Sequence, residues 1–303
     1  MTEIINKIEA LKKKKKAVII AHNYQTLDVQ DVADFVGDSL ELSRQAARTD
    51  ADMIIFCGVD FMAETAHILS PSKKVILPDR NAGCPMAGMA TVQRLQTMKK
   101  AYPQAAVVAY VNSSAEIKAN SDICCTSGNA AAVVNSLKNE EIIFLPDKYL
   151  GKYVSSKTDK KIIFWEGYCP THVRILSEDI KNQKLQHPKA EVLVHPECTP
   201  EVTAAADRVL STGGMMKYAA EGKKKEFIIG TEIGMVYTLK KKYPDKKFYP
   251  ASLKAVCLNM KLTTLEKILW AIDKEIALVT VPEEIRVRAR TAIDRMLEVK
   301  VSA

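Results

Sequence analysis

The sequence predicts an α/β protein of three similar αβα-layered domains, each with a parallel sheet, arranged around a pseudo-threefold axis. Three observations carry this expectation. Short apolar runs alternate with helical patterns of roughly 10 to 20 residues, as parallel strands joined by crossover helices do. Residues 102–145 reappear 85 positions later without a change of register. A cysteine closes each of three segments of similar length.

Taken in order, Ile4, Ile5, Ile8 and Leu11 stand at helical spacing with charges between, an amphipathic helix without the continuous apolar centre of a signal peptide. The run Ala17 to Asn23 opens the first unit, followed by apolar runs at Met53 to Phe56 and Val75 to Leu77. Between them, Thr26 to Ala47 reads as an extra helical stretch, so the first copy of the repeat is the looser one. In the second unit, Val107 to Tyr110 and Ile142 to Leu145 are the strands; in the third, Val192 to His195 and Phe227 to Gly230. Asp122 falls on Asp207, and Ser127-Gly128 on Thr212-Gly213. Ser113 with Glu116 predicts a capping box, and Thr199-Pro200 an N-cap with proline at the first helical position. In the tail, Thr263 with Glu266 predicts the start of a helix carrying Leu265, Ile268, Leu269 and Ile272. A short run, Ala277 to Val281, leads to a last helix with Ile285, Ala289, Ile293 and Met296 on one face. The expected division is 1–84, 85–169 and 170–258, with the tail 259–303 packing back on the first unit and completing its sheet.

The bulk numbers agree with a folded chain of several domains: 303 residues, 47% apolar and 26% charged. No apolar stretch approaches the roughly 20 residues needed to cross a bilayer, so no membrane span is expected. A net charge of +8 favours anionic partners. Much of that charge sits in Lys12 to Lys16, Lys223 to Lys225 and Lys240 to Lys242, read as solvated helix ends. No stripe of interleaved aromatic and basic residues is present, so nucleic acid is not an expected partner. Seven cysteines without a close-spaced framework argue against disulfide stapling and for a cytoplasmic protein that uses some thiols in chemistry.

Cys84, Cys169 and Cys257 lie 85 and 88 residues apart, and a threefold arrangement brings equivalent positions together. Glycine or proline beside Cys84 and Cys169 places them in turns. Cys57, Cys124 and Cys125 lie in or at the end of apolar runs and read as buried hydrophobes; Cys198 fits either class. Three thiolates suit a soft metal, and from spacing alone zinc, mere coincidence and an iron–sulfur cluster stand level.

Ligands of open α/β sheets bind beyond the carboxyl ends of the strands. There the sequence places His22-Asn23-Tyr24, Tyr110-Val111-Asn112 and His195-Pro196-Glu197, polar sets at repeat-equivalent positions that point to one shared site. Ser39, Ser127 and Ser211-Thr212 each stand by a glycine ahead of a helical pattern, where hydroxyl and backbone N–H groups receive an anion. His172, three residues after Cys169, falls beside any metal held there. His67 and His187 read as surface residues without a role.

As a set, these residues resemble the quinolinate synthase family. The resemblance runs through Ala21-His22-Asn23-Tyr24-Gln25, Ala33 to Ser39, Gly58 to Glu64, Cys84-Pro85-Met86-Ala87, Tyr110 to Ser113, and Val194 to Cys198. It continues through Ser211-Thr212-Gly213, Gly230 to Met235 and Asn259-Met260-Lys261. It implies a [4Fe-4S] cluster bound by Cys84, Cys169 and Cys257. It implies condensation of iminoaspartate with dihydroxyacetone phosphate to quinolinate, phosphate and water in NAD biosynthesis, with iminoaspartate supplied by an aspartate oxidase or dehydrogenase. On this reading Glu197 with His195 moves protons during isomerisation of the triose. Tyr24, His22 and Tyr110 cover the substrate and assist dehydration. Ser39, Asn112, Ser127, His172, Ser211 and Thr212 hold carboxylate or phosphate, a hold that His22, Tyr110, His195 and Glu197 share. Two other readings stand beside it: a non-catalytic binding protein for an anionic metabolite, and a zinc lyase using His195, Glu197 and Cys198.

Overall fold

Nearly every residue of the central strands is buried, and this dictates the layering. In β1 (Ala17–His22) and β3 (Met53–Cys57), Val18, Ile20, Ile54 and Phe56 enter one apolar cluster, while Ile19, Ala21, Met53, Ile55 and Cys57 enter another. Alternate side chains thus face opposite sides of the sheet and need helices on both. The computed structural model describes residues 2–299. Among them are three four-stranded parallel sheets. The first adds β2 (Phe35–Gly37) and β4 (Lys74–Ile76) in the order β2-β1-β3-β4. The second comprises β5 (Ala106–Tyr110), β6 (Ile123–Cys125), β7 (Glu141–Leu145) and β8 (Lys161–Phe164), ordered β6-β5-β7-β8. The third comprises β9 (Glu191–Val194), β10 (Arg208–Val209), β11 (Glu226–Gly230) and β12 (Lys247–Pro250), ordered β10-β9-β11-β12. One topology is therefore used three times.

The first unit is a closer copy than the sequence suggests. Thr26 to Ala47 is not a continuous helical stretch: it holds a short helix, Leu27–Asp31, then edge strand β2, then the helix Ser39–Arg48. A three-residue edge strand with exposed Phe35 and Val36 has no periodicity to betray it. Its pairing makes it plain. Ile20 faces Phe35, Val108 faces Ile123 and Leu193 faces Arg208, a separation of 15 residues in every unit. The same carboxylate secures each edge: Asp34, Asp122 and Asp207 accept the N–H of Ile19, Val107 and Val192 at 2.8, 2.7 and 2.8 Å. Each of these aspartates also donates its own N–H to the carbonyl of that same strand residue.

The tail divides between two sheets. The helix Leu265–Lys274 lies against the N-terminal helix Thr2–Lys15, on the first unit. The last helix, Glu283–Glu298, lies against the helix Ala115–Ala119 and β6, on the second unit, where Ala289, Ile293 and Met296 enter the core. This differs from an expected tail on the first unit alone. The fourth strand of that sheet is not borrowed from the tail either, since β2 and β4 supply its edges and Ala277 to Val281 contributes only a bridge from Leu278 to Ile76. Residues 300–303 of the expected tail lie outside the described residues.

Three local expectations shift. The caps fall one residue later, on Ser114 and Thr264, whose hydroxyls accept the N–H of Ile117 and Lys267. Ser113 instead donates to Tyr110 O at 2.8 Å. Lys12 is not solvated: its ammonium is buried between Glu9 and Asp34, at 2.9 and 2.8 Å. Lys223 to Lys225 and Lys240 to Lys242 are exposed as expected. His67 accepts the N–H of Val281 at 3.3 Å, and His187 stacks on Tyr249 at 3.5 Å.

Replacing Asp122 by alanine removes the acceptor for Val107 N–H at a sheet edge, which costs on the order of 1–3 kcal/mol. Asp122→Asn, which keeps an acceptor, is expected to lose less. Urea denaturation measures both, and equal midpoints for the two variants would contradict this role.

Candidate functional site

The first strand of each unit ends at one central cavity of about 200 Å³. β1 brings His22 and, past its end, Tyr24; β5 brings Tyr110 and Asn112; β9 leads into His195 and Glu197. Ser39, Ser127 and Thr212 reach the same cavity from the turns after the edge strands. Cys84, Cys169 and Cys257 reach it from turns after the fourth strands, and His172 from the short 3₁₀ turn behind Cys169. All the residues expected in the site line this cavity except Ser211. Its hydroxyl caps the helix Thr212–Glu221 by accepting the N–H of Gly214 at 3.1 Å, which turns it away.

Hydrogen bonds within and between units order the buried polar groups. Tyr110 donates to Glu197 Oε1 at 2.5 Å, and Glu197 Oε2 lies 2.9 Å from His172 Nδ1. That same nitrogen is 3.1 Å from Cys169 Sγ, while His172 Nε2 meets Thr231 Oγ1 at 2.8 Å. Thr231 in turn bonds the Tyr24 hydroxyl at 2.7 Å. A continuous chain thus runs Tyr110, Glu197, His172, Thr231, Tyr24, through all three units. His172 and His195 stack with centroids 4.6 Å apart.

His22 and His195 occupy equivalent positions and share a tautomer. The N–H two residues on, of Tyr24 and of Glu197, donates to Nδ1 at 3.2 and 3.3 Å, so each ring carries its proton on Nε2. For His195 that proton points at Ser127 Oγ, 3.1 Å away.

The electrostatics follow from burial. Desolvation lowers His22 to about 3, assisted by the Lys261 charge, and lowers His195 to about 3, assisted by His172. Burial alone would raise Glu197, but His172 and His195, with hydrogen bonds from His172 and Tyr110, hold its carboxyl far below the ordinary range. Burial and the Glu197 charge push the phenols of Tyr24 and Tyr110 well above theirs. The site therefore presents one ionised carboxylate, two neutral imidazoles and two neutral phenols.

The thiols test the fit of a soft metal group. Burial pushes Cys84 up to about 12 and also raises Cys169 and Cys257, so without a cation all three stay protonated. Three soft donors from three directions, walled by Met86, Pro170, Val256 and Met260, suit an iron–sulfur cluster. The sulfur and nearest side-chain ligand atoms of Cys169, His172 and Glu197 also lie within 4.8 Å of one another, a smaller set able to hold a single ion. The remaining cysteines take no part. Cys57, Cys124 and Cys125 are buried in strands, and Cys198, 1% exposed, directs Sγ to Gly230 O at 3.4 Å. A zinc site on His195, Glu197 and Cys198 is thereby overturned, because that sulfur faces the core.

Several site residues escaped sequence reasoning. Thr231 stands at the end of β11, a third strand, whereas the polar sets that recur with the repeat stand at the ends of first strands. Asp38 caps the helix Ser39–Arg48 and faces the N–H of Gly213 in the third unit. Among the described residues Arg174 is the one lysine or arginine lining the cavity, so their positive charge is not concentrated there. Asn112 Oδ1 is buried without a protein partner, leaving an acceptor for a ligand.

Comparison with known proteins gives a consistent result. The sequence model of the family described as Quinolinate synthetase A protein matches residues 6–298. The quinolinate synthase of Dehalococcoides mccartyi (strain CBDB1) is 59% identical over 296 residues, covering 98% of each chain. Quinolinate synthase 1 of Methanosarcina acetivorans is 56% identical over 299 residues, covering 99% of this chain and 98% of its own. That of Geobacter metallireducens is 53% identical over 296 residues, covering 98% and 97%.

Because the folded values of His22 and His195 lie below the unfolded value near 6.5, their contribution to stability is complete above pH 6.5 and is lost as pH falls toward 3. Unfolding free energy is expected to drop by up to about 1.4 kcal/mol per pH unit per histidine within that window. Urea titrations at pH 7, 6 and 5 measure the slope; stability that stays level down to pH 5 would contradict neutral imidazoles.

Proposed function

The chain belongs to the quinolinate synthetase A family, enzymes of NAD biosynthesis, and from that premise we propose that it condenses iminoaspartate with dihydroxyacetone phosphate to quinolinate, phosphate and water. The observation that carries the reading is the convergence of Cys84, Cys169 and Cys257 on the cavity that also holds Glu197, Tyr110 and Tyr24. These three thiols would hold a [4Fe-4S] cluster, which supplies a Lewis-acidic iron with an open position when bound.

The protein's own groups divide the remaining work. Ser39, Ser127 and Thr212, with Asn112, bind the carboxylates and phosphate of the two anionic substrates through hydroxyl and amide groups rather than through lysines. Glu197, ionised and held by His172 and Tyr110, accepts a proton from the triose carbon during isomerisation. His195, neutral with its Nε2 proton toward Ser127, orients substrate oxygen beside it. Tyr24 and Tyr110 remain phenols at neutral pH and donate protons to departing hydroxyl groups, while His22 packs edge-on against Tyr24 at 4.5 Å and keeps that ring over the cavity. Placement in the cytoplasm, next to an enzyme that oxidises aspartate, belongs to the same proposal. It is supported by seven free thiols. Among the described residues no helix is long and apolar enough to cross a membrane.

A second reading rests on the trio Cys169, His172 and Glu197, which could take one zinc ion in place of a cluster. The two compete for Cys169, so metal analysis separates them: oxygen-free protein is expected to contain iron and acid-labile sulfide, and zinc without sulfide would overturn the cluster.

Cys169→Ser is expected to lose the visible chromophore and the activity together, and a brown, active variant would refute the ligand assignment. Glu197→Gln is expected to bind substrate within a few-fold of the parent while turnover falls by 10²-fold or more, the usual size of a general-base effect, on the order of 10²–10⁴. Retained turnover would remove Glu197 from proton transfer. A parent protein that binds the substrates but never turns over, with cluster intact, would mark a binding protein instead.

A further inference from the structure

The three cysteine turns are anchored in the same way. Asp60 N–H donates to Ala82 O at 2.8 Å, Lys148 N–H to Gly167 O at 2.8 Å, and Ile233 N–H to Ala255 O at 3.0 Å. Each acceptor stands two residues before a cysteine of the cavity, and each donor lies just past β3, β7 or β11. Close approach is built in: a Cβ on Gly167 would lie 2.4 Å from Pro146 O.

Beside each backbone bond sits a carboxylate aimed at the cysteine itself. Glu232 Oε1 accepts Cys257 N–H at 3.1 Å while Oε2 accepts Gly234 N–H at 2.7 Å. Asp147 Oδ1 accepts the N–H of Tyr149 and of Leu150, both at 2.8 Å. The same carboxylate faces Cys169 N–H, while among the described residues its buried Oδ2 makes no hydrogen bond. Asp60 faces Cys84 N–H in the same manner, with Oδ1 on Phe61 N–H at 2.7 Å. Asp147 and Glu232 are wholly buried, whereas Asp60 is exposed to solvent. Lys261, 3.0 Å from Glu232 Oε1, balances that charge and also donates to Tyr24 O.

Resting on the cluster reading above, we infer that Asp147 and Glu232 are positioning residues for Cys169 and Cys257, Glu232 by holding Cys257 N–H and Asp147 by a buried carboxylate that faces Cys169 N–H, each so fixing where the thiol points. Asp60 is the weaker, solvated counterpart for Cys84. The physical reason lies in the short cysteine side chain. Once the backbone of the turn is fixed, one torsion with three staggered positions remains, and the sulfur is nearly placed before any iron arrives. A buried carboxylate facing two or three N–H donors is also stable only while those donors stay, so each turn and its acid hold one another.

Helix capping is the alternative role, and the variants separate the two. Asp147→Asn keeps an oxygen for Tyr149 and Leu150 but turns an amide group toward Cys169 N–H. Glu232→Gln leaves one acceptor where two N–H groups need two. Each is purified without oxygen, then followed for iron loss to a chelator, for the electron paramagnetic resonance spectrum of the reduced protein, and for thermal unfolding. Thr91→Ala, which removes a helix cap on Arg94 N–H and no hydrogen bond to a cysteine, serves as the control. The expected result is iron loss faster by roughly 10- to 100-fold in both acid variants with an altered spectrum. Asp60→Asn should show a smaller increase and Thr91→Ala none. Iron loss at the parent's rate with an unchanged spectrum in both acid variants overturns the inference alone, and loss of fold in both reassigns the carboxylates to chain stability and also overturns it. A parent free of iron and sulfide removes the cluster reading and this inference with it.

Discussion

Three parallel sheets that end their first strands at one point must bury polar side chains there, and most of these groups need partners distant in sequence. This constraint governs the molecule. Tyr110 finds Glu197, Glu197 finds His172, and Thr231 joins His172 to Tyr24. Because the first and last of these bonds cross between units, the same contacts that satisfy the buried groups also tie the second and first units to the third. Breaking any one leaves a polar atom without water or partner, a cost of about 1–3 kcal/mol in an interior site.

That arrangement also decides the charges. A cavity walled mostly by protein disfavours ionisation, and His22 and His195 respond by staying neutral. Glu197 remains ionised because several donors converge on it. The result is a cavity that offers hydroxyl and amide groups and keeps one ionised carboxylate among neutral imidazoles and phenols. Environment thus sets the protonation of each side chain apart from its neighbours.

Much of this was legible in the sequence, for reasons that can be named. Residues at the ends of first strands recur with the repeat, so His22, Tyr110 and His195 stood out, as did Ser39, Ser127 and Thr212. Cys84, Cys169 and Cys257 stood out by separation alone, and Cys57, Cys124 and Cys125 by their apolar surroundings. The failures have causes as specific. β2 is three residues long and half exposed, too short for a pattern. Ser114 and Thr264 displaced their neighbours as caps because two adjacent hydroxyl residues offer the same chemistry and only the chain path chooses. Lys12 looked like one of five solvated lysines, yet the register between the N-terminal helix and Asp34 buried it. Ser211 shares the signature of Thr212 but faces its own helix.

Local periodicity, repetition and residue chemistry were enough to determine the α/β class, the threefold repetition, the strand ends that meet at one cavity and the three thiols that line it, because each depends on residues near in sequence or on a fixed offset. Partnership required the tertiary structure. Thr231 lies 207 residues from Tyr24, and Asp38 meets Gly213 from another unit. Which atoms meet across such distances depends on how whole sheets are rotated against one another, a property of packing that no local pattern in the chain encodes.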